Sequence, residues 1–168
     1  MGLTKQERFM QLYEPVHERF ERYCKTRTYG EFPFKDIMQD TLVVAFEKFD
    51  ELKSNEAFLH YLFGTAVKLL ANQRKKKRPE SIDQFNAKYE HVDNEKTLIE
   101  KQFEINELYK CLKELDPVTS ECIILFEISG FSIKEIMGIQ NLSEAAVKQR
   151  LSRGRKQLLL LMHARELK

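Results

Sequence analysis

Apolar residues recur at steps of three and four along most of this chain. Phe9, Leu12, Tyr13, Val16, Phe20 and Tyr23 form one stripe, and Thr4 with Glu7 has capping-box spacing, so a helix is expected from near residue 5. Gly30 and Pro33 interrupt the pattern. A second helix is expected from about 35 to 49, burying Ile37, Met38, Thr41, Ala45 and Phe49. Ser54 offers an N-cap for a third, from 55 to about 76, with Leu59, Leu62, Phe63, Ala66, Leu69 and Leu70 as its apolar stripe. Two-residue alternation is nowhere sustained, so no sheet is expected.

Pro79 closes this first unit. Ile82, Phe85, Tyr89 and Val92 then follow without a consistent stripe, and 79–98 reads as an acidic, flexible linker. Helical spacing resumes near Ile99 and runs through Ile105, Leu108, Leu112 and Leu115. Asp116-Pro117 is a restart signal, with Asp as N-cap and Pro at the first helical position. Cys122, Leu125, Phe126 and Ser129 are the expected buried face, and Gly130 ends it. Ser132 with Glu135 repeats the capping box, Asn141 suits a left-handed turn, and Ser143 caps a last helix buried through Val147, Leu151, Gly154, Leu158 and Met162. The expected fold is all-α: two small helical domains, 1–78 and 99–168, joined by the tether.

Charge sharpens this picture. Charged residues make up 32% of the chain against a typical quarter, yet the net charge is only +2. The cations are clustered: Arg74 to Arg78 is an unbroken basic run, 80–107 is mainly acidic, and Lys148 to Lys156 is basic again. Three cysteines without paired spacing argue against a disulfide framework or zinc finger and suit a reducing cytosol. The four histidines give no ligand pair at helical spacing, so neither a metal nor another cofactor is expected. The start of the chain has no signal-like apolar stretch, and the apolar runs are too short to span a bilayer, so a cytoplasmic protein is expected.

Two short helices, a tight turn and a basic helix are the arrangement that delivers side chains into the major groove of duplex DNA. Gln149, Lys148 and Arg153 supply base-edge donors and acceptors, and Ala145 can rest against a thymine methyl.

The stretches Asp36-Ile37-Met38-Gln39-Asp40-Thr41-Leu42 and Phe58 to Ala66 resemble region two of bacterial RNA polymerase sigma factors, nearest the extracytoplasmic-function (ECF) class. Leu112–Leu115, Gly130-Phe131-Ser132, Glu135-Ile136, Ser143 and Val147 to Arg153 resemble region four of the same class. Both units are matched in order, over about four-fifths of the chain. Departures include Tyr61 where Trp is usual, Lys68 for Asn, Ala146 for Thr, Phe126 for a basic residue and Met137 for a small one; Gly138 beside Met137 is expected to restore room for a helix crossing.

The resemblance implies an alternative sigma factor, a non-enzymatic partner of RNA polymerase core and promoter DNA. Asp36, Gln39, Asp40 and Val43 are implied polymerase contacts. Lys53, Ser54, Asn55, Glu56, Tyr61, Lys68, Asn72, Arg74 and Lys75 are implied to hold the melted −10 element, where a flipped base is captured and the strand tracked by cations. Ser143, Glu144, Ala145, Lys148, Gln149, Arg150, Ser152, Arg153, Arg155 and Lys156 are implied to read the −35 duplex, with Arg150, Arg155 and Lys156 as phosphate clamps. Members of this class are often held inactive by an anti-sigma protein bound across both units, which adds such a protein to the candidate partners. The free chain is expected to be monomeric.

Residues alone leave rivals open. A polar helix face is also what ordinary solvation produces, and a basic terminus also favours the helix dipole. A helix-turn-helix regulator with an N-terminal sensor or dimerisation domain shares the second half, but leaves the 36–42 and 58–66 patterns unexplained. No nucleophile elbow, phosphate loop or clustered carboxylates suggest an enzyme.

Overall fold

The computed structural model describes residues 2–76 and 95–168, with backbone alone for 95–98. The described residues are helical, without strands: α1 Lys5–Tyr13, α2 His17–Thr28, α3 Phe34–Glu47, α4 Asn55–Lys76, α5 Glu95–Glu114, α6 Pro117–Ile123, α7 Ile133–Gln140 and α8 Glu144–Glu166. The expected linker falls mostly on 77–94, outside the described residues, and α5 begins at Glu95, four residues ahead of the expected start.

Local signals account for most boundaries. Thr4 and Glu7 close the capping box at α1, and Ser132 and Glu135 close the one at α7. Pro15 splits the first apolar stripe: Glu14–Val16 form a 3₁₀ turn between α1 and α2, because proline lacks an N–H and its ring crowds the preceding turn. Gly30 and Gly130 take positive φ (68° and 72°) at turns that L side chains resist. After α6 the chain unwinds slightly into one wider, π-type turn, Ile124–Ile128, where Ser129 N–H donates to the Ile124 carbonyl at 2.9 Å. The extra residue shifts the helical register. Ile123 and Ile124 therefore join Cys122 and Leu125 inside, whereas Phe126 is only half-buried beneath Arg155, 5.2 Å from its ring.

The first half, α1–α4, has an aromatic core. Phe9 meets Phe46, Phe49 and Phe58 edge to face at 5.3–5.4 Å, and Phe20 meets Phe63 at 5.3 Å. Such pairs add about 0.5–1.5 kcal/mol each beyond area burial. The second half, α5–α8, is aliphatic and closely crossed. At Gly154 a Cβ would stand 2.7 Å from Thr119 Cγ2, so α8 lies on α6 only because the position has no side chain.

The two halves are packed together, and one continuous set of buried residues runs through both. Phe63 of α4 meets Phe131 edge to face at 4.5 Å, and Arg19 of α2 lies over the same ring at 4.2 Å while donating to the Ser129 carbonyl at 2.9 Å. Tyr29 rests on Tyr109 of α5 at 4.7 Å. Beneath these contacts lies a buried polar cluster. Tyr23 Oη donates to Glu121 Oε1 at 2.5 Å, and Arg27 Nε stands 2.6 Å from Glu121 Oε2. That last contact lies off the line of a hydrogen bond, so it is an ion pair held by proximity. Glu121 is 2% exposed. Burial, then the neighbouring carboxylate, pushes the Tyr23 phenol well above its ordinary pKa. Burial is the largest influence on Arg27 and opposes its charge, but Glu121, Tyr23 and Glu31 together outweigh it and raise the guanidinium pKa.

Candidate nucleic-acid and polymerase interfaces

The turn before α8 is built for a fixed entry angle. Asn141 adopts φ 53°, and the Asn141 and Leu142 N–H groups both donate to the Met137 carbonyl. Ser143 then caps α8, its Oγ accepting from Ala146 N–H at 3.1 Å, so this hydroxyl is spent on the helix end. Val147, Leu151 and Gly154 bury one side. The opposite side carries Glu144, Ala145, Lys148, Gln149, Ser152, Arg153 and Lys156, all exposed. Glu144 pairs with Lys148 at 2.5 Å, and that bond lowers the Glu144 carboxyl pKa. Arg153 and Lys156 form no ion pair among the described residues.

Arg150 and Arg155 stand differently. Arg150 bonds Asp116 at 2.8 Å and Thr119 Oγ1 at 3.1 Å, tying α8 to the cap of α6. Asp116 itself accepts from Thr119 N–H, and this bond first, with Arg150 adding to it, holds its carboxyl below the usual range. Arg155 pairs with Glu127 at 2.7 Å. Both cations bridge helices within the fold.

At the start of α4, Ser54 Oγ accepts from Ala57 N–H at 3.1 Å, and Lys53, Asn55 and Glu56 surround that turn in the open. Along α4, Tyr61, Lys68, Asn72 and Lys75 share one stripe about 21 Å long. Arg74 projects from the far side, donating to Glu31 at 3.0 Å and to the Arg27 carbonyl at 2.9 Å. Lys77 and Arg78 of the basic run lie outside the described residues. The structure therefore gathers most of the α8 set on one face, with Ser143 in the cap and Arg150 and Arg155 turned to carboxylates, and divides the α4 set into a turn, a stripe and an arginine paired with Glu31. Tyr61 and Lys68 line a groove of about 730 Å³ whose other wall is Val118, Ile139 and Asn141. On α3, Asp36, Gln39, Asp40 and Val43 share the exposed side opposite Ile37, Met38, Thr41 and Ala45, and Val43 is 57% exposed.

Residues 105–158 match sigma-70 region 4. Over 147 residues the chain is 26% identical to the RNA polymerase sigma factor NccH of Alcaligenes xylosoxydans xylosoxydans, covering 82% of this chain and 78% of the relative. Residues 105–158 are thus a sigma-70 region 4 domain, within a chain similar to a sigma factor over most of its length. The fold of the chain is shared with two solved structures. One is CnrH in complex with the cytosolic domain of CnrY, with TM-score 0.72, 23% identity and coverage of 95% and 90% of the two chains. The other is the sigma factor RpoE in complex with the anti-sigma factor NepR from Bartonella quintana, with TM-score 0.70, 24% identity and coverage of 93% and 97%. The all-α architecture expected from the sequence is thus the fold of both structures.

Sequence reading missed the residues that join the halves: Tyr23, Arg27, His60, Glu121 and Gly138. One signal was available, a lone Glu121 inside the run Ser120 to Leu125, where a charge demands a buried partner. Gly138 had been expected to ease a crossing within the turn motif. Instead it faces α4: a Cβ there would stand 2.6 Å from the His60 ring. No helix among the described residues is long and apolar enough to cross a membrane.

Proposed function

We propose that the chain acts in the cytoplasm as a non-enzymatic initiation factor, docking on RNA polymerase core and directing it to promoters with distinct −35 and −10 elements. The observation that carries this reading is the pairing, in one chain, of an open basic helix after a capped turn with a separate exposed α3 face that is polar and acidic. In this scheme Lys148, Gln149, Ser152 and Arg153, with Glu144 and Ala145 at the entering end, meet base edges, and Lys156 meets phosphate. Tyr61 stacks on an exposed base while Lys68, Asn72 and Lys75 track the opened strand. Asp36, Gln39 and Asp40 accept charge-assisted bonds from a basic partner helix around an apolar contact at Val43. Residues 1–78 and 99–168 are the two functional units and 79–98 the connection. An anti-sigma protein spanning both units is the regulatory partner this scheme accommodates; the RpoE relative was solved with one.

In vitro transcription tests the proposal. Purified chain plus core polymerase on genomic fragments should yield start sites absent with core alone. No gain in start sites, together with no association with core, would reject it.

A further inference from the structure

The connection that leads into the turn at 53–56 is held from the side by α1. After α3 the chain makes a 3₁₀ turn, Phe49–Glu51, and extends through Leu52 before Ser54 caps α4. Lys5 and Arg8 stand at the first turn of α1, where the positive end of the helix dipole disfavours cations. Glu7, the acid of that turn, is engaged with Thr4 in the capping box. Both cations reach instead to one carboxylate of the connection. Lys5 Nζ lies 3.1 Å from Asp50 Oδ2, and Arg8 Nη2 donates to Asp50 Oδ1 at 3.1 Å. Lys5 also donates to the Glu47 carbonyl at 3.5 Å and sits over the Phe46 ring, while Arg8 sits over Phe49. The bond from Lys5 first, partly offset by desolvation, and then Arg8 hold the Asp50 carboxyl below its usual range, so the grip is ionic. The rest of the connection is fixed as well. Phe49 is buried edge-on to Phe9 and Phe58, Leu52 packs against the core, and Ser54 Oγ accepts from Ala57 N–H. Ser54 follows Asp50 by four residues, at most about 14 Å of chain. The backbone is thus held at both ends while Lys53, Asn55 and Glu56 stand in the open. Selecting one base asks for this combination, because polar groups must be placed within about 0.5 Å to discriminate.

We infer that Lys5 and Arg8 are positioning residues for base selection: by gripping the two oxygens of Asp50 they fix the turn at 53–56 in the geometry that prefers one opened base over the others. The inference deepens the proposed function and rests on its assignment of that turn. Two tasks are separated in this arrangement. Tyr61, Lys68, Asn72 and Lys75 hold any opened strand by stacking and by backbone contact, which carry little sequence information. Discrimination falls to the turn. Exposed ion pairs add little to stability, so loss of the grip loosens the turn without unfolding the helices around it.

The test uses the full chain bound to core polymerase. The probe is a forked DNA whose single-stranded arm is randomised, captured by the complex and sequenced. Total capture reports strand affinity, and base frequencies report selectivity. The unaltered complex should enrich one base at one position at least about tenfold, the range of one good base contact. Lys5→Met with Arg8→Met keeps both stems over their rings and removes both charges. This pair should cut the enrichment below about threefold, leave total capture within about twofold, and melt within about 4 °C of the unaltered chain. Asp50→Asn releases the grip from the other side, should act alike, and decides the matter should the paired variant fail to fold. Exchanging the cations, Lys5→Arg with Arg8→Lys, should keep the enrichment, which a role in packing alone does not predict. Folded Lys5→Met/Arg8→Met and Asp50→Asn complexes that select the same base as strongly as the unaltered one would overturn the inference. So would an equal loss of selectivity in the cation-exchanged chain, or reduced capture with selectivity unchanged. An unaltered complex that captures the fork yet enriches no base would count against the assignment of 53–56 itself, and the inference would fall with it.

Discussion

Helices α4 and α8 present the same sequence feature to different surroundings. Each buries an apolar side and carries cations on another, and each begins at a serine cap. On α8 the cationic side is open, and the two arginines that are not free, Arg150 and Arg155, are taken up by carboxylates of the helix beneath. On α4, Tyr61 and Lys68 line the groove walled by α7, Lys68, Asn72 and Lys75 remain exposed, and Arg74 is turned to Glu31. A basic amphipathic pattern therefore specifies which residues leave the core, while availability depends on what packs alongside. The α8 face is open along its length, whereas the α4 stripe is open only from Lys68 onward.

The sharpest way to break the comparison is to remove the support beneath one helix. Phe58 is 1% exposed and joins Phe9 and Phe49, so Phe58→Ala should cost about 3–5 kcal/mol, read by denaturant titration, and weaken strand capture through loss of α4 itself. A cost under about 1 kcal/mol would mean that the aromatic core does not hold α4. Next, Tyr61→Ala should lower affinity for opened promoter DNA by about 1–3 kcal/mol in the polymerase complex, and by much less for the free chain, where α7 walls the groove. Equal losses in both settings would remove the distinction drawn between the two helices.

Within α8, Arg153→Ala should cost about 1–3 kcal/mol and relax base preference, whereas Lys156→Ala should weaken all duplexes alike and reduce the salt slope by about one. Binding isotherms on several duplexes at several salt concentrations check this; identical profiles for the two variants would void the assignment. The smallest effect concerns acid stability. Because the folded Asp116 pKa is depressed, its contribution is present above the unfolded value and fades as pH falls through the folded one. Asp116→Ala should cost about 0.5–2 kcal/mol at neutral pH and flatten the acid limb of the stability curve, while Asp116→Asn should keep most of the cap. An unchanged acid limb in thermal melts of Asp116→Ala would show that this carboxyl does not report on folding.

Helix ends were legible wherever one short-range interaction decides them. Thr4 with Glu7, Ser132 with Glu135, Asp116 before Pro117 and the left-handed Asn141 all act within four residues, so sequence neighbours suffice. Pro15 was equally local, yet the apolar stripe running through it concealed the break, since side-chain spacing survives a short 3₁₀ turn. The π-type turn after α6 carries no comparable signal. It arises where packing on both sides favours one more residue inside, and it exchanged Phe126 for Ile124 in the core.

The candidate interfaces divide along the same line. Which residues of α3 and α8 face outward follows from helical period, because a helix with one buried stripe has a determined opposite side. That Arg150, Arg155 and Arg74 are occupied by carboxylates could not be foreseen, since Asp116, Glu127 and Glu31 lie tens of residues away in the chain.

By itself, then, the order of residues determined an all-helical chain, its caps and turns, and the exposed sides of its helices. Only the tertiary structure decided that the halves close on one another, burying Glu121 against Arg27 and Tyr23 and setting His60 over Gly138. The reason is one of range. Caps and stripes depend on neighbours a turn away, whereas a seam depends on two surfaces fitting across nearly a hundred residues of separation.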